Sequence, residues 1–265
     1  MSAHSNTAST DMSLSTLVNL RDLGGIPAAG RRIRAGLLQR SDDFARTTRT
    51  QVSQMVSQGL GTIIDLRSAE EAQRTGRGPA GDFDIAYHLL PLSATSANPA
   101  DMAARESLTP DEVGHWYAEM LLDRSAQIAY GLATIAAAKG AVLVHCAAGK
   151  DRTGVFTACL LSALGADQAQ IVAEYALTDP AMPSILQRLG RQVSLKDPAR
   201  PMNALLTAVP ENLESMFRVL NDSHGSTILG ILYAAGLGDD TVNRLQERLL
   251  EPAATVRHDT MGTIQ

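Results

Sequence analysis

Between Val142 and Gly154 the chain reads VLVHCAAGKDRTG. An apolar run leads into His145 and Cys146, a loop of small residues follows, and Arg152, Thr153 and Gly154 open an apolar helical stretch. A short glycine-containing loop lets several backbone N–H groups converge on one point. The helix that follows aims its positive end at the same place. Arg152, at the helix start, can fork two N–H groups onto phosphate oxygens. A cysteine at the end of the strand sits under that positive potential, which favours thiolate over thiol. A thiolate beneath a bound phosphate is an in-line nucleophile.

His-Cys-x5-Arg followed by Thr-Gly resembles the cysteine-dependent protein-tyrosine phosphatases. The fuller string AGKDRTG, with NLRDLGG near the N-terminus and EYALTD after the loop helix, resembles the atypical bacterial branch. That branch includes dual- and triple-specificity enzymes, some acting on phosphoinositides as well as phosphoproteins. The resemblance runs from about Asn19 to Leu250 and is sharpest from His145 to Gly154. It implies that Cys146 attacks phosphorus and forms a cysteinyl phosphate. Arg152 and the loop amides of Ala147, Ala148, Gly149 and Lys150 would hold the equatorial oxygens. His145 would orient the loop and help keep Cys146 ionised, and Thr153 would assist release of the thiolate. No metal or other cofactor is implied. Asp22, Asp65 and Arg67, which recur in motifs of this family, would brace loops around the cradle.

The general acid is where this chain departs from the usual pattern. Most enzymes of this mechanism carry the acid on a separate loop, often as Trp-Pro-Asp. The single Trp here, Trp116, lies in HWYAEM. Asp151, one residue before Arg152, is the first candidate for the acid, with Asp82, Asp84 and Asp101 as alternatives. Lys150 adds a cation that a multiply phosphorylated head group would use; its bland reading is a solvated loop charge. Cys159, inside VFTACLLSAL, reads as core, and His88 and His115 as structural or surface residues.

The elements that must position this loop are legible from periodicity. Short apolar runs at Thr62–Leu66 and Ala141–Val144 read as buried strands. Arg31–Arg40 and Ile85–Leu90 are further strand candidates. Thr47–Gln58 is a helix, and Ser68 caps a short helix with Glu70 and Glu71 in its first turn. Helices are expected at Asp111–Leu122 and Ala126–Lys139, and from Val155 onward the pattern is almost wholly helical. The expected fold is α/β: a central, mostly parallel sheet flanked by helices, tyrosine-phosphatase-like, with a helical lid or insert roughly over 93–139. Residues 1–13 read as a flexible tail and 14–265 as one domain.

Composition narrows the function classes. The 265 residues are 45% hydrophobic and carry a net charge of −5, so the chain has ample core. It lacks the basic footprint of a nucleic-acid or anionic-membrane binder. Two cysteines cannot build a disulfide framework or a four-ligand zinc site. The longest apolar run, Val155 to Ala166, falls short of the ~20 residues that span a bilayer. The N-terminus has neither a basic nor an apolar signal region, so the expected location is cytoplasmic, or secreted without a cleaved signal peptide. The expected partner is a phosphorylated protein or phosphoinositide substrate, and the sequence leaves oligomeric state open. Rival readings of a cysteine loop are a phosphate-binding pseudophosphatase and a rhodanese- or arsenate-reductase-like thiol enzyme. Intact Cys146, Arg152 and Thr153 weigh against the first. The position of the loop past mid-chain weighs against a low-molecular-weight-type reductase.

Overall fold

The computed structural model describes residues 17–92, 108–189 and 203–252. Five strands form one sheet: β1 (Arg21–Asp22), β4 (Leu38–Ser41), β5 (Leu60–Asp65), β6 (Ala86–Leu89) and β7 (Ala141–His145), in the order β1-β4-β7-β5-β6. Only β1 runs antiparallel; β4, β7, β5 and β6 are mutually parallel. A two-stranded ribbon, β2 (Pro27–Ala28) with β3 (Arg31–Arg32), lies outside the sheet. The architecture is α/β with a mostly parallel central sheet flanked by helices.

Alternation along the buried strands divides the core in two. Ile64 of β5 and Val142 and Val144 of β7 face the larger cluster. That cluster is built from helices α3 (Pro110–Ala137), α4 (Asp151–Leu164), α7 (Pro210–His224) and α9 (Asp239–Leu249). Ile63 and Leu143 face the other side, where they meet Val52 and Met55 of α1 (Arg49–Ser57) and Phe44. Each such side chain contributes about 1.5–3 kcal/mol by its burial. Helix packing on both faces therefore fixes the strand ends, and the loops on those ends inherit the positions.

One consequence decides the site. Ser41 pairs with His145, His145 with Asp65, and Asp65 with Leu89, so all four parallel strands finish in one row. The segments after them open onto the carboxyl edge of the sheet, where open α/β sheets bind ligands.

Two expectations about elements change. The strand read as Arg31–Arg40 is broken into β3 and β4 by a turn at Gly36, which takes φ +78°. The two helices expected at 111–122 and 126–139 are both present and run on as α3, with a break from helical geometry at Arg124 that separates them. The stretch read as an insert or lid over 93–139 divides likewise. Residues 93–107, with Asp101, lie outside the described residues, whereas α3 is a core helix that buries Val113, Trp116, Tyr117, Leu121, Ile128 and Leu132. Among the described residues no helix is long and apolar enough to cross a membrane.

Candidate active site

Cys146 is the first residue after β7, and it is 2% exposed. The loop beyond it is held by its carbonyls. Asn19 Nδ2 donates to the carbonyls of Ala148 at 3.2 Å and Gly149 at 3.1 Å. Arg40 Nη2 donates to the Gly149 carbonyl at 2.6 Å, and the Asp43 amide to the Ala147 carbonyl at 3.1 Å. In a planar peptide the N–H and C=O point opposite ways. Pulling these three carbonyls outward turns the amides of Ala148, Gly149 and Lys150 inward, and the Gly149 N–H lands on Cys146 Sγ at 3.2 Å. Only glycine fits there: φ is +66°, and a Cβ would lie 2.4 Å from the Ser41 carbonyl oxygen. Arg40 is itself locked by buried Glu174 at 2.5 Å, which also takes Arg21 at 2.7 Å.

His145 stands one residue before the cysteine, its Nδ1 3.1 Å from the Cys146 carbonyl and its Nε2 3.7 Å from Asp65 Oδ2. Burial pushes its pKa below the ordinary value even with Asp65 beside it. The ring props the loop through its contact with the Cys146 carbonyl. Asp65 and Arg67 form a buried pair at 2.6 Å, and Arg67 reaches on to Asp43 at 2.9 Å. Burial alone would raise Asp65, but hydrogen bonds from Arg67 and Tyr87 together with nearby positive charge hold the carboxyl below the usual range. This pair ties the loops after β4 and β5 together beneath the cradle. Asp22 instead accepts from the amides of Gly24 and Gly36, so it braces the β1–β4 turn, not the cradle.

Arg152 opens α4, and its Nη1 and Nη2 meet both oxygens of Glu71, the second pair at 2.9 Å. Glu71 is the third residue of α2 (Ala69–Thr75) and closes the capping box on Ser68. Burial would raise its pKa, yet hydrogen bonds and charge from Arg152 hold it below the usual range. The Thr153 hydroxyl is buried without a hydrogen-bond partner.

Lys150 corrects the expectation of a cation in the cradle, and equally the reading of a solvated loop charge. Its side chain is 0% exposed, and Nζ lies 2.7 Å from the Leu205 carbonyl and 2.9 Å from Asp151 Oδ1. Burial opposes the ammonium, but the Asp151 carboxylate holds it above its ordinary pKa. Asp151 also accepts the Tyr117 hydroxyl at 2.5 Å and keeps 20% exposure at the cradle.

The alternative acids lie elsewhere. Asp82 is exposed and paired with Arg49. Asp84 precedes β6 and lines a groove with Gly61, Thr62 and His88, at the end of the sheet opposite Cys146. His115 bonds the Asp111 carbonyl at the start of α3. Cys159 is wholly buried in α4, and burial alone pushes its thiol up. Among the described residues no group of three His, Cys, Asp and Glu could hold a metal ion.

A model of the tyrosine phosphatase family matches residues 12–251. The chain belongs to that family. Among curated relatives, a triple specificity protein phosphatase, PtpB, of Mycobacterium tuberculosis is 30% identical over 273 residues, covering 88% of this chain and 96% of that protein. A tyrosine-protein phosphatase of Nostoc commune is 33% identical over 147 residues, covering 55% of this chain and 49% of that one. A crystal structure of TpbA from P. aeruginosa matches 77% of this chain and 89% of its own at 14% identity and a TM-score of 0.34, too loose a likeness to argue from. The protein is a tyrosine phosphatase, and its reaction is the hydrolysis of phosphotyrosine.

Several residues of this phosphatase's cradle escaped the sequence reading. Asn19 and Arg21 sit in NLRDLGG, where the double glycine drew attention but the polar side chains carry the bracing. Glu71 was visible as a first-turn acid; the added signal is the Ser-x-x-Glu spacing directly after Asp-Leu-Arg, which places its carboxylate at the sheet edge. Glu174 stands in EYALTD. Arg40 and Tyr117 carry no local signal, since each reaches the site only through the tertiary fold.

Proposed function

We propose that this phosphatase works through a cysteinyl phosphate on Cys146. The thiolate attacks phosphorus in line while Arg152 and the loop amides, those of Ala148, Gly149 and Lys150 turned inward, hold the equatorial oxygens, which gather charge in the transition state. Asp151 donates a proton to the departing oxygen as the P–O bond breaks. Water then attacks the thiophosphate, Asp151 takes a proton from it, and the P–S bond breaks to restore the thiolate. Thr153, with its free hydroxyl, is suited to hydrogen-bond the leaving sulfur. His145 keeps the loop in register.

The observation that carries this reading is the Gly149 amide on Cys146 Sγ at the positive end of α4, with Arg152 already anchored beside it. As the substrate class we propose phosphopeptides: phosphotyrosine, with phosphoserine and phosphothreonine alongside it because the relative PtpB is named for triple specificity. Phosphoinositides lose their main support, because the ammonium of Lys150 is spent on buried carbonyls and on Asp151.

Cys146→Ser tests the scheme. Turnover of p-nitrophenyl phosphate and of phosphotyrosine peptide should vanish, while the folded variant still binds phosphopeptide through Arg152 and the loop amides. Retained turnover would overturn the nucleophile assignment. A wild-type protein that binds phosphopeptide without any turnover would be the pseudophosphatase instead.

A further inference from the structure

The two oxygens of Asp151 are unequal. Oδ1 takes the Tyr117 hydroxyl at 2.5 Å and the Lys150 ammonium at 2.9 Å. Tyr117 comes from α3, is 0% exposed, and packs edge-on against Tyr175 of α5 (Gln168–Ala176), ring centroids 6.1 Å apart. The two hydroxyls are 2.9 Å apart, and Asn212 of α7 donates from Nδ2 to Tyr175 at 3.2 Å. Asn212 Nδ2 is fixed in turn on the carbonyls of Ala204 at 2.9 Å and Thr207 at 3.3 Å.

Direction in this chain follows from counting donors. Burial, reinforced by Asp151, keeps Tyr117 protonated, and burial does the same for Tyr175. Tyr117 has one proton, and a carboxylate oxygen can only accept, so Tyr117 donates to Asp151 and accepts from Tyr175. Asn212 Nδ2 has two hydrogens for three acceptors, so its contact with Tyr175 is shared with the Ala204 and Thr207 carbonyls. The direction rests on the two hydroxyls, from Tyr175 through Tyr117 to Oδ1. An oxygen that accepts two donors has both lone pairs engaged and no room for its own proton.

We propose that Tyr117 is a positioning residue that confines the transferable proton of Asp151 to Oδ2 and turns that oxygen toward the leaving group. The proposal rests on Asp151 being the general acid. In the first half-reaction the Oδ2 proton passes to the departing oxygen while the P–O bond breaks and the S–P bond forms. In the second, Oδ2 takes a proton from the attacking water as the S–P bond breaks. Oδ1 keeps the same two donors throughout, so the acid need not rotate between steps.

Aryl phosphates graded from an acidic phenol to phenol itself provide the test, on wild type, Tyr117→Phe, Asp151→Asn and the double variant. Asp151→Asn should slow phenyl phosphate on the order of 10²-fold and the acidic aryl phosphate only severalfold, since an acid contributes about 10²–10⁴ where the leaving group needs a proton. Tyr117→Phe should slow phenyl phosphate about tenfold with a smaller loss on the acidic phenol, and the double variant should fall no further than Asp151→Asn. Tyr175→Phe, one link back, should show the same leaving-group bias at a smaller size. A cooperative thermal melt in every variant certifies the fold. Equal slowing by Tyr117→Phe on every leaving group, or additive losses in the double variant, would overturn the positioning role and leave the acid assignment standing. Equal slowing by Asp151→Asn would bring down the acid assignment, and the positioning role with it.

Discussion

Arg152 and Lys150 are two residues apart on one loop, yet they meet opposite surroundings. Arg152 keeps 12% exposure at the rim and is aimed by Glu71, a carboxylate from the sheet's carboxyl edge. Lys150 is sealed beneath the loop, on the Leu205 carbonyl and Asp151, facing the helices that carry Tyr117 and Tyr175. In the proposed mechanism the rim side holds the phosphate and the inner side aligns the group that protonates the leaving oxygen. The inner side also ties the loop to the helical core. A cation's place in a phosphate loop is thus set by which way the loop's first helical turn points it, not by its distance in sequence from the nucleophile.

Breaking the inner half should show as stability. Lys150→Met removes the partner of a carboxylate and of buried carbonyls, and losing one member of a buried pair costs about 3–5 kcal/mol. For a chain of this size that corresponds to a fall in Tm on the order of 10 °C. Turnover of phosphotyrosine and of phosphoinositide should drop in parallel; a selective loss on the lipid would restore Lys150 as a head-group contact.

Breaking the rim half should show as rate. Arg152→Lys keeps the charge and loses the fork, so turnover should fall on the order of 10²–10³-fold, the scale of a lost oxyanion donor, with Tm little changed. A loss under tenfold would mean the amides alone carry the phosphate.

Glu71→Gln is the gentler version. It keeps the capping box and weakens the aim of Arg152, for an expected loss of about tenfold in kcat/KM, the scale of one charge-assisted hydrogen bond. The same pair has a pH signature. Because the folded pKa of Glu71 lies below its unfolded value, its stabilisation is complete above the unfolded value of roughly 4.3. It is lost as pH falls through the lower folded value. Thermal melts below pH 4 should therefore fall less steeply for Glu71→Gln than for wild type; equal slopes would mean the pair adds nothing to the fold.

The contrast also separates what could be read in the sequence from what could not. Cys146, Arg152 and the helix after them were legible because strand, loop and helix are contiguous, so local geometry and local pattern are the same thing. The buried strands around Ile63 and Leu143 were legible for the same reason. Asn19, Arg40 and Glu174 brace the cradle from far along the chain: Asn19 meets the Gly149 carbonyl across 130 positions. No local pattern encodes such a meeting. Lys150 misled because a loop lysine is ordinarily solvated, and its burial depends on the carbonyl of Leu205, which enters from a distant turn. Asp84 misled because strand periodicity does not say which end of a parallel sheet a residue occupies, and the register with Thr62 decides that.

The most direct test of the central claim is to trap the intermediate. Enzyme mixed with a ³²P-labelled aryl phosphate and quenched in acid within one turnover should carry label on the peptide containing Cys146. The label should be released by iodine, as a thiophosphate ester is. Thr153→Ala should raise the trapped fraction, since release of the sulfur is the step it slows. An enzyme that turns over with no label on that peptide, or with label elsewhere, would contradict the account.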